Sequence, residues 1–173
     1  MLVWFLFGAM CLFVLLLGVA YWRFASLNSK TQAAWNKLDQ LLKYRAEFIP
    51  GASLAAASLP ELDREFSYKL SSLSIHGNSL QERAAYEAQI TQAFQKLFSA
   101  LQAHPELSQE EYLTKLCNNI RQTENKIQRA KNKYNSLAHT FNTMATIIPL
   151  NLIVQMFEME PYEYFDFSLS QTR

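Results

Sequence analysis

The sequence is poor in the residues that interrupt helices. Only four of the 173 residues are glycine and five are proline. Glycine and proline lower helix stability and favour turns, so their scarcity disfavours a fold made of many loops and favours long helices. Half of the residues are hydrophobic. A chain of this length and composition can form one domain with a real core and an appendage, which excludes two sizeable domains.

Cysteine is also scarce, and the charges almost balance. The two cysteines, Cys11 and Cys117, are too far apart in an anchored chain to pair, and no metal-type spacing of cysteine and histidine occurs. The net charge is +1, although residues 115–133 are basic and residues 158–166 are acidic. Such blocks are typical of solvated faces. No basic groove with interleaved aromatic residues is evident, so no nucleic-acid partner is predicted.

The first 22 residues carry no charged side chain. This run is long enough to cross the hydrocarbon core of a bilayer, which takes about 20 residues in a helix. A cleaved signal peptide requires a basic start, a shorter apolar centre and a small-x-small cleavage site, and the sequence has none of these. Lys and Arg follow the run and none precedes it. The sequence therefore predicts a single span with its N-terminus outside and the soluble part in the cytoplasm.

Apolar side chains recur at helical spacing beyond this anchor. In residues 116–148 the steps alternate between three and four, which places them on one stripe of a long helix. Weaker versions of the same pattern occupy residues 27–49, 62–73 and 90–101. Three asparagines within two positions of the longest stripe are predicted to hydrogen-bond across helices: Asn125, Asn135 and Asn142.

Short turn signals separate these stripes. Breaks are predicted at Pro50-Gly51, at His76-Gly77-Asn78 and at Ala103-His104-Pro105. Because each stripe indicates a helix, the predicted fold class is all-α. Helices joined by short turns pack as antiparallel neighbours. An N-terminal transmembrane helix continues into an antiparallel, up-down-up-down four-helix bundle with long helices.

Capping signals mark where two of the helices begin. Ser79 precedes Glu82 by three residues and Ser108 precedes Glu111 by three, and both pairs match the capping box. Pro149 is predicted to stop the last bundle helix. The predicted domains are a transmembrane anchor at 1–22, the helical bundle at 23–149, and a short apolar helix with an aromatic and acidic tail at 150–173.

No arrangement of residues typical of an active site is present. His76, His104 and His139 fall in a turn, at a helix end and on the flank of the longest stripe, and no phosphate-binding loop, metal motif or nucleophile motif occurs. The chain is therefore predicted not to be an enzyme, with no catalytic residue, cofactor, metal or small-molecule substrate. Glu87 shares the register of a buried stripe. Such a carboxylate could serve a function, but pairing with a base is the favoured interpretation.

The C-terminal tail is the predicted partner-binding segment. Four aromatic residues alternate with acids near its end: Tyr162, Tyr164, Phe165 and Phe167. Aromatic side chains on a terminus that no core needs favour docking to another protein. The alternative, that the tail packs back on its own bundle, is equally compatible with the sequence.

Four short motifs, in this order, resemble the LemA family. They are Ala34–Arg45 with Phe48-Ile49-Pro50, Leu97–Leu107, Thr123–Asn142, and Ile148-Pro149-Leu150-Asn151 followed by Phe157 and the aromatic tail. The resemblance implies a bacterial, single-span protein of the cell (inner) membrane with an antiparallel helical bundle. It also implies that no catalytic residues are assigned.

Two functions are compatible with these features. The first is a non-enzymatic scaffold or adaptor that engages a protein partner or another copy of itself. The alternative is a membrane-remodelling or membrane-compartment-associated protein that acts through oligomerisation, with the apolar segment 150–157 pressing on the bilayer.

Overall fold

The computed structural model describes residues 2–60, 62, 64–73, 79–104, 110–148, 150–156 and 158–167. This part of the chain is helical and contains no strand, which confirms the all-α prediction. The antiparallel four-helix arrangement stays a prediction. The helices are α1 (Leu2–Ala46), α2 (Ile49–Ala57), α3 (Arg64–Ser72), α4 (Leu80–Ala103), α5 (Glu111–Ala145) and α6 (Leu150–Met156).

Helix α1 continues without a break from the apolar run into the rest of the chain, as predicted. Its large apolar side chains from Trp4 to Val19 are exposed, except for the half-buried Leu17. Among the described helices, α1 alone is long and apolar enough to cross a membrane by itself. Beyond this run the predicted stripe is buried at Thr31, Ala34, Leu38, Leu42 and Arg45. Leu27 of the stripe is half-buried, and Phe24 ahead of it is buried.

The break predicted at Pro50-Gly51 is displaced. The chain turns at residues 47–48, and α2 begins at Ile49 with Pro50 in its first turn. Proline is tolerated there because the first N–H groups of a helix have no intrahelical acceptor. A Cβ on Gly51 would lie 2.8 Å from the Tyr112 hydroxyl oxygen, so a side chain at this position would require the exposed Tyr112 ring to move.

The part of the chain predicted to form the second bundle helix is divided in the described residues. Two short helices, α2 and α3, occupy that part of the chain. Pro60 lies between them and cannot donate the backbone hydrogen bond that a continuous helix needs. Leu59 and Leu62 beside the break are nevertheless buried, so the connection belongs to the core.

The predicted start of α4 is confirmed. The Ser79 hydroxyl oxygen accepts a hydrogen bond from the backbone N–H of Glu82 at 3.1 Å. The predicted seam of this helix is buried at Ile90, Phe94, Leu97 and Leu101. The predicted turn at His76-Gly77-Asn78 and the capping serine Ser108 lie outside the described residues.

Helix α5 buries most of the predicted long stripe, with small shifts. Ala138 and Lys131 are more buried than the predicted Leu137 and Ala130, and Ile148 is exposed. An α-helix has about 3.6 residues per turn, so a stripe with a 3.5-residue period drifts to the neighbouring position. Helix α6, Leu150–Met156, lies within the apolar segment in which a short helix was predicted.

The chain divides into two compact units. Unit 1 is Met1–Asn36 with Asn132–Tyr164, and unit 2 is Lys37–Lys131 with Phe165–Arg173. The core of unit 1 is built around Phe24, Phe141 and Leu150. The core of unit 2 is mostly aliphatic and is supplied by α2 to α5. The predicted domain boundaries after residues 22 and 149 stay predictions.

Candidate functional site

An ion cluster lies in the core of unit 2. Arg45, which is fully buried on α1, donates from Nη2 to the Glu87 carboxylate of α4. Its Nη1 donates to Glu124 Oε1 of α5 at 2.6 Å and to Thr91 Oγ1 at 2.8 Å. One guanidinium therefore joins three helices at a single point. Its planar donor set suits two carboxylates at once, which an ammonium group would serve less well.

The cluster contains more negative than positive groups. Burial raises the pKa of the Glu87 carboxyl, Arg45 opposes this increase, and the Glu124 carboxylate adds to it. Among the described residues, Glu87 Oε1 and Arg45 Nε have no hydrogen-bond partner. A buried oxygen without a donor favours the protonated carboxyl, which agrees with the raised pKa. The predicted pairing of Glu87 with a base is thus observed, at a fully buried position.

A second ion cluster occupies the edge of the same unit. The Asp39 carboxylate accepts from Lys43 at 2.8 Å and also from Arg83 of α4. Burial alone would raise the pKa of Asp39, but the hydrogen bonds and charges of Lys43 and Arg83 together lower it. Asp39 is partly accessible, so water weakens this cluster relative to the one around Arg45.

The end of the tail is packed against the cations of unit 2. The Phe167 ring lies 5.6 Å from the Arg45 guanidinium carbon and 4.8 Å from Lys131 Nζ, and its edge meets the Phe165 ring. Lys131 Nζ also pairs with Asp166 at 3.1 Å. Both phenylalanines are buried. The ring faces stabilise the two cations where water is excluded.

The beginning of the tail is directed by the end of α6. The backbone N–H of Met159 donates to the Val154 carbonyl at 3.0 Å, and that of Glu158 donates to Gln155 at 3.4 Å. This is the Schellman pattern, which places the residue after the helix in the left-handed region. Glu158 has φ 48°, a conformation that glycine or asparagine adopts more readily. The chain reverses at Glu158, and the following residues return along unit 1.

A pair of amide hydrogen bonds fixes the tail in unit 1. The Asn142 side chain accepts from the Tyr162 N–H at 2.9 Å and donates to the Tyr162 carbonyl at 2.8 Å. The Tyr162 hydroxyl donates to Asn28 Oδ1 at 2.5 Å, and its ring meets the edge of Phe141 at 4.9 Å. The prediction that Asn142 bonds across helices is therefore corrected, because its partner is the tail backbone. A side-chain amide can satisfy both polar groups of one extended residue.

Tyr134 extends this contact region along α5. Its hydroxyl donates to the Glu163 carbonyl at 2.8 Å, and its ring packs on Trp35 at 5.2 Å. Burial, followed by the nearby Tyr162 and Glu163, raises the pKa of the Tyr134 hydroxyl. The raised pKa keeps this hydroxyl protonated, so that it remains a donor to the tail.

The four residues predicted to bind a partner have different environments. Phe165 and Phe167 are buried in unit 2, and Tyr162 is half-buried in unit 1. Tyr164 is 52% exposed and its hydroxyl lies 3.2 Å from His139 Nδ1. The structure thus shows the self-packing alternative for residues 158–167. Binding of a partner by these residues stays a prediction, and Tyr164 is the ring that a partner can reach without displacing the tail.

The residues of the Arg45 cluster had not been recognised as a group from the sequence. Arg45 lies in an apolar stripe of α1, Glu87 lies in the register of a stripe on α4, and Glu124 follows a buried position on α5. A cation on one stripe and acids on two others is the signal that would have suggested a buried ion cluster.

The described residues give no sign of metal or thiol chemistry. No group of three or more His, Cys, Asp or Glu side chains in the described ranges is arranged to hold a metal ion. Cys11 and Cys117 are free cysteines. Burial raises the pKa of the Cys117 thiol, which disfavours the reactive thiolate.

Comparison with known proteins identifies a family over most of the chain. The family model described as LemA family matches residues 34–173. The match contains the ion cluster, the tail and every helix after α1, and it begins after the apolar run. A search of the curated proteins finds no match.

Proposed function

Because the chain belongs to the LemA family, we propose that it is a membrane-anchored, non-enzymatic scaffold or adaptor that engages a protein partner or a second copy of itself. The family and the apolar first half of α1 fit a membrane-associated helical protein. The proposal places residues 1–22 as a single span of the cell (inner) membrane, with the N-terminus outside and the helical part in the cytoplasm.

The observation that carries the proposal is the fixed and half-exposed position of Tyr164. Tyr162 is held by the Asn142 amide on one side, and Phe165 is buried on the other. An aromatic ring on a backbone that is already ordered loses little conformational entropy when a partner binds it. Tyrosine is also enriched among the residues that dominate binding energy in interfaces. The neighbouring acids Glu160 and Glu163 are exposed and favour a partner surface of positive charge.

Site-specific photocrosslinking in native membranes tests this proposal. A photoreactive amino acid at position 164 is expected to give a discrete adduct, either with one partner or with a second copy. The same probe at Tyr68, an exposed tyrosine on α3, serves as the matched control and is expected not to give that adduct. Asn142→Ala should reduce the adduct at position 164 because it releases the backbone clamp. Equal adducts at positions 164 and 68, or none at 164, would contradict the proposal.

Membrane remodelling is the second candidate, and α6 supplies an observation that favours it. Leu152 and Met156 on α6 and Ile148 before it are between 59% and 80% exposed. Leu150 of the same helix packs in the core of unit 1 beside Ala20, near the end of the apolar run. This packing holds α6 close to the level at which α1 would leave the bilayer, where apolar side chains gain by entering the interface.

A spin label tests whether α6 enters the bilayer. The label is placed at Leu152 in the full chain with its native cysteines replaced, and the chain is reconstituted in vesicles. Collisions with oxygen, which concentrates in the acyl region, should exceed those with a water-soluble nickel complex. Lys133, exposed on α5, is the control position and should show the reverse. Water-like exposure of both labels would leave remodelling through α6 without support.

A further inference from the structure

An open groove in unit 1 combines apolar walls with two cations. Its volume is about 560 Å³, within the range of about 300–1,000 Å³ found for ligand sites. The apolar walls come from α1, α5 and the start of α6 and are formed by Leu16, Val19, Ala20, Leu27, Met144 and Leu150.

Two cations are among the residues that line this groove. Arg23 and Lys30, both on α1, line it together with the hydroxyl-bearing Thr140 of α5. Both cations are exposed, and neither has an ion-pair partner among the residues that the structure describes. The groove is therefore lined by positive charge where α1 has left the apolar run. It is lined by hydrocarbon side chains where α1 belongs to that run. This polarity matches an anionic amphiphile.

The length of the groove agrees with one leaflet of a bilayer. From Leu16 to Lys30 the axis of α1 rises about 21 Å, at about 1.5 Å per residue. Half of a bilayer, including its headgroup region, measures about 20–22 Å. A lipid with its headgroup at Arg23 and Lys30 would place an acyl chain beside Val19 and Leu16, at the depth that the apolar run itself would occupy.

We propose that this groove binds one anionic phospholipid of the bilayer in which α1 is anchored. The headgroup phosphate pairs with Arg23 and Lys30, and one acyl chain lies against Leu16, Val19 and Ala20. A zwitterionic lipid fits the same walls, but its headgroup carries an added cation that the two basic side chains repel. The proposal is independent of whether the tail binds a protein partner.

Photolabelling of the full chain in phosphatidylcholine vesicles tests the assignment. Two probes are compared, a phosphatidylglycerol and a phosphatidylcholine with the same photoreactive acyl chain. The anionic probe should label peptides from residues 16–27 and 144–150 more strongly, by at least about fivefold. That factor corresponds to about 1 kcal/mol, the contribution of one Lys or Arg at an anionic surface. Equal labelling by both probes would mean general lipid contact and would overturn the proposal.

Variants separate the groove from a diffuse electrostatic effect. Arg23→Gln with Lys30→Gln should remove the preference for the anionic probe. Lys37→Gln with Lys133→Gln removes the same charge from exposed positions that do not line the groove, and should retain the preference. An unchanged preference in the first double variant, or its loss in the second, would contradict the assigned site.

A third variant tests the cavity itself. Thr140→Trp fills the groove from the exposed face of α5 without altering charge, and it should reduce labelling by the anionic probe. Helicity by circular dichroism verifies that each variant is folded. Undiminished labelling of folded Thr140→Trp, or crosslinks from the groove to a second copy of the chain in place of lipid, would show that another occupant covers this surface.

Discussion

In unit 1 the contacts that hold the tail are aromatic rings and neutral amides, whereas in unit 2 they are buried ions covered by aromatic rings. Asn142 and Tyr134 hold the tail backbone in the first unit, and Phe167 covers Arg45 in the second. Neutral hydrogen bonds contribute modestly and tolerate pH change. A buried ion cluster costs much when it is broken and responds to protonation. The two units should therefore differ in how much stability they lose on mutation and on a change of pH.

The largest expected effect is the loss of the central cation of unit 2. Arg45→Ala removes the guanidinium that donates to Glu87, Glu124 and Thr91 together, and it should lower the free energy of unfolding by about 3–5 kcal/mol. Denaturant unfolding in detergent micelles, followed by circular dichroism, measures it. Lys43→Ala on the same helix is the control, since its ion pair is exposed and should contribute less than about 1 kcal/mol. A similar small loss for Arg45→Ala would show that the cluster is not a stabilising centre.

The corresponding change in unit 1 should be smaller and local. Asn142→Ala removes both hydrogen bonds to the Tyr162 backbone, at a cost of about 1–3 kcal/mol. Amide hydrogen exchange in residues 158–164 should accelerate, while exchange in α4 stays unchanged. Asn125→Ala, at an exposed position of α5, provides the control and should leave both regions as they are. Unaltered exchange in the tail would mean that the aromatic contacts alone hold it.

The two units should also differ in the pH dependence of their stability, because unit 2 contains Glu87. Its pKa is raised in the folded state, so folding takes up a proton, and the stability that Glu87 contributes is present at low pH and lost as pH rises through the folded pKa. Relative to Glu87→Gln, the wild type should gain stability as pH falls through the folded pKa of Glu87, and the slope should approach about 1.4 kcal/mol per pH unit between the unfolded and folded pKa values. Unfolding at a series of pH values measures the difference. If the wild type instead loses stability relative to Glu87→Gln as pH falls, Arg45 keeps the Glu87 carboxyl ionised.

The smallest effect should come from Asp39, with the opposite sign. Its folded pKa is lowered, so its contribution is present above the unfolded pKa and is lost as pH falls through the folded value. The stability of the wild type over Asp39→Asn should therefore shrink in acid. The change should stay below about 1 kcal/mol because the pair with Arg83 is partly solvated. The same pH series measures it, and a difference that grows in acid would contradict the lowered pKa.

Much of the helical architecture could be predicted because local signals determine it. The stripe of α1 and the capping serine of α4 act through side-chain spacing and neighbouring backbone groups, and both were predicted correctly. The break at Pro50 was misplaced because proline is compatible with both the end and the first turn of a helix. Sequence spacing does not distinguish these two positions.

The candidate sites were less predictable because they depend on pairing between distant residues. Glu87 was expected to pair with a base, but the spacing along α4 does not name Arg45 as that base. Asn142 was expected to bond to another helix, since nothing local indicates that the chain reverses and returns along α5. For the aromatic tail the sequence left docking outward and packing inward equally open, because both bury the same rings.

Because the backbone at Glu158 is left-handed, substitutions there can change the stability of the packed tail without altering any of the contacts that the tail makes. A side chain with a Cβ is strained by about 1 kcal/mol in this conformation, and a β-branched one by more. Glycine at position 158 should thus tighten the returning segment and valine should loosen it, in a graded series whose members share identical surfaces elsewhere. The φ angle at position 158 then sets the fraction of molecules in which Tyr162 and its neighbours are packed on unit 1. A substitution at this single position can change that fraction.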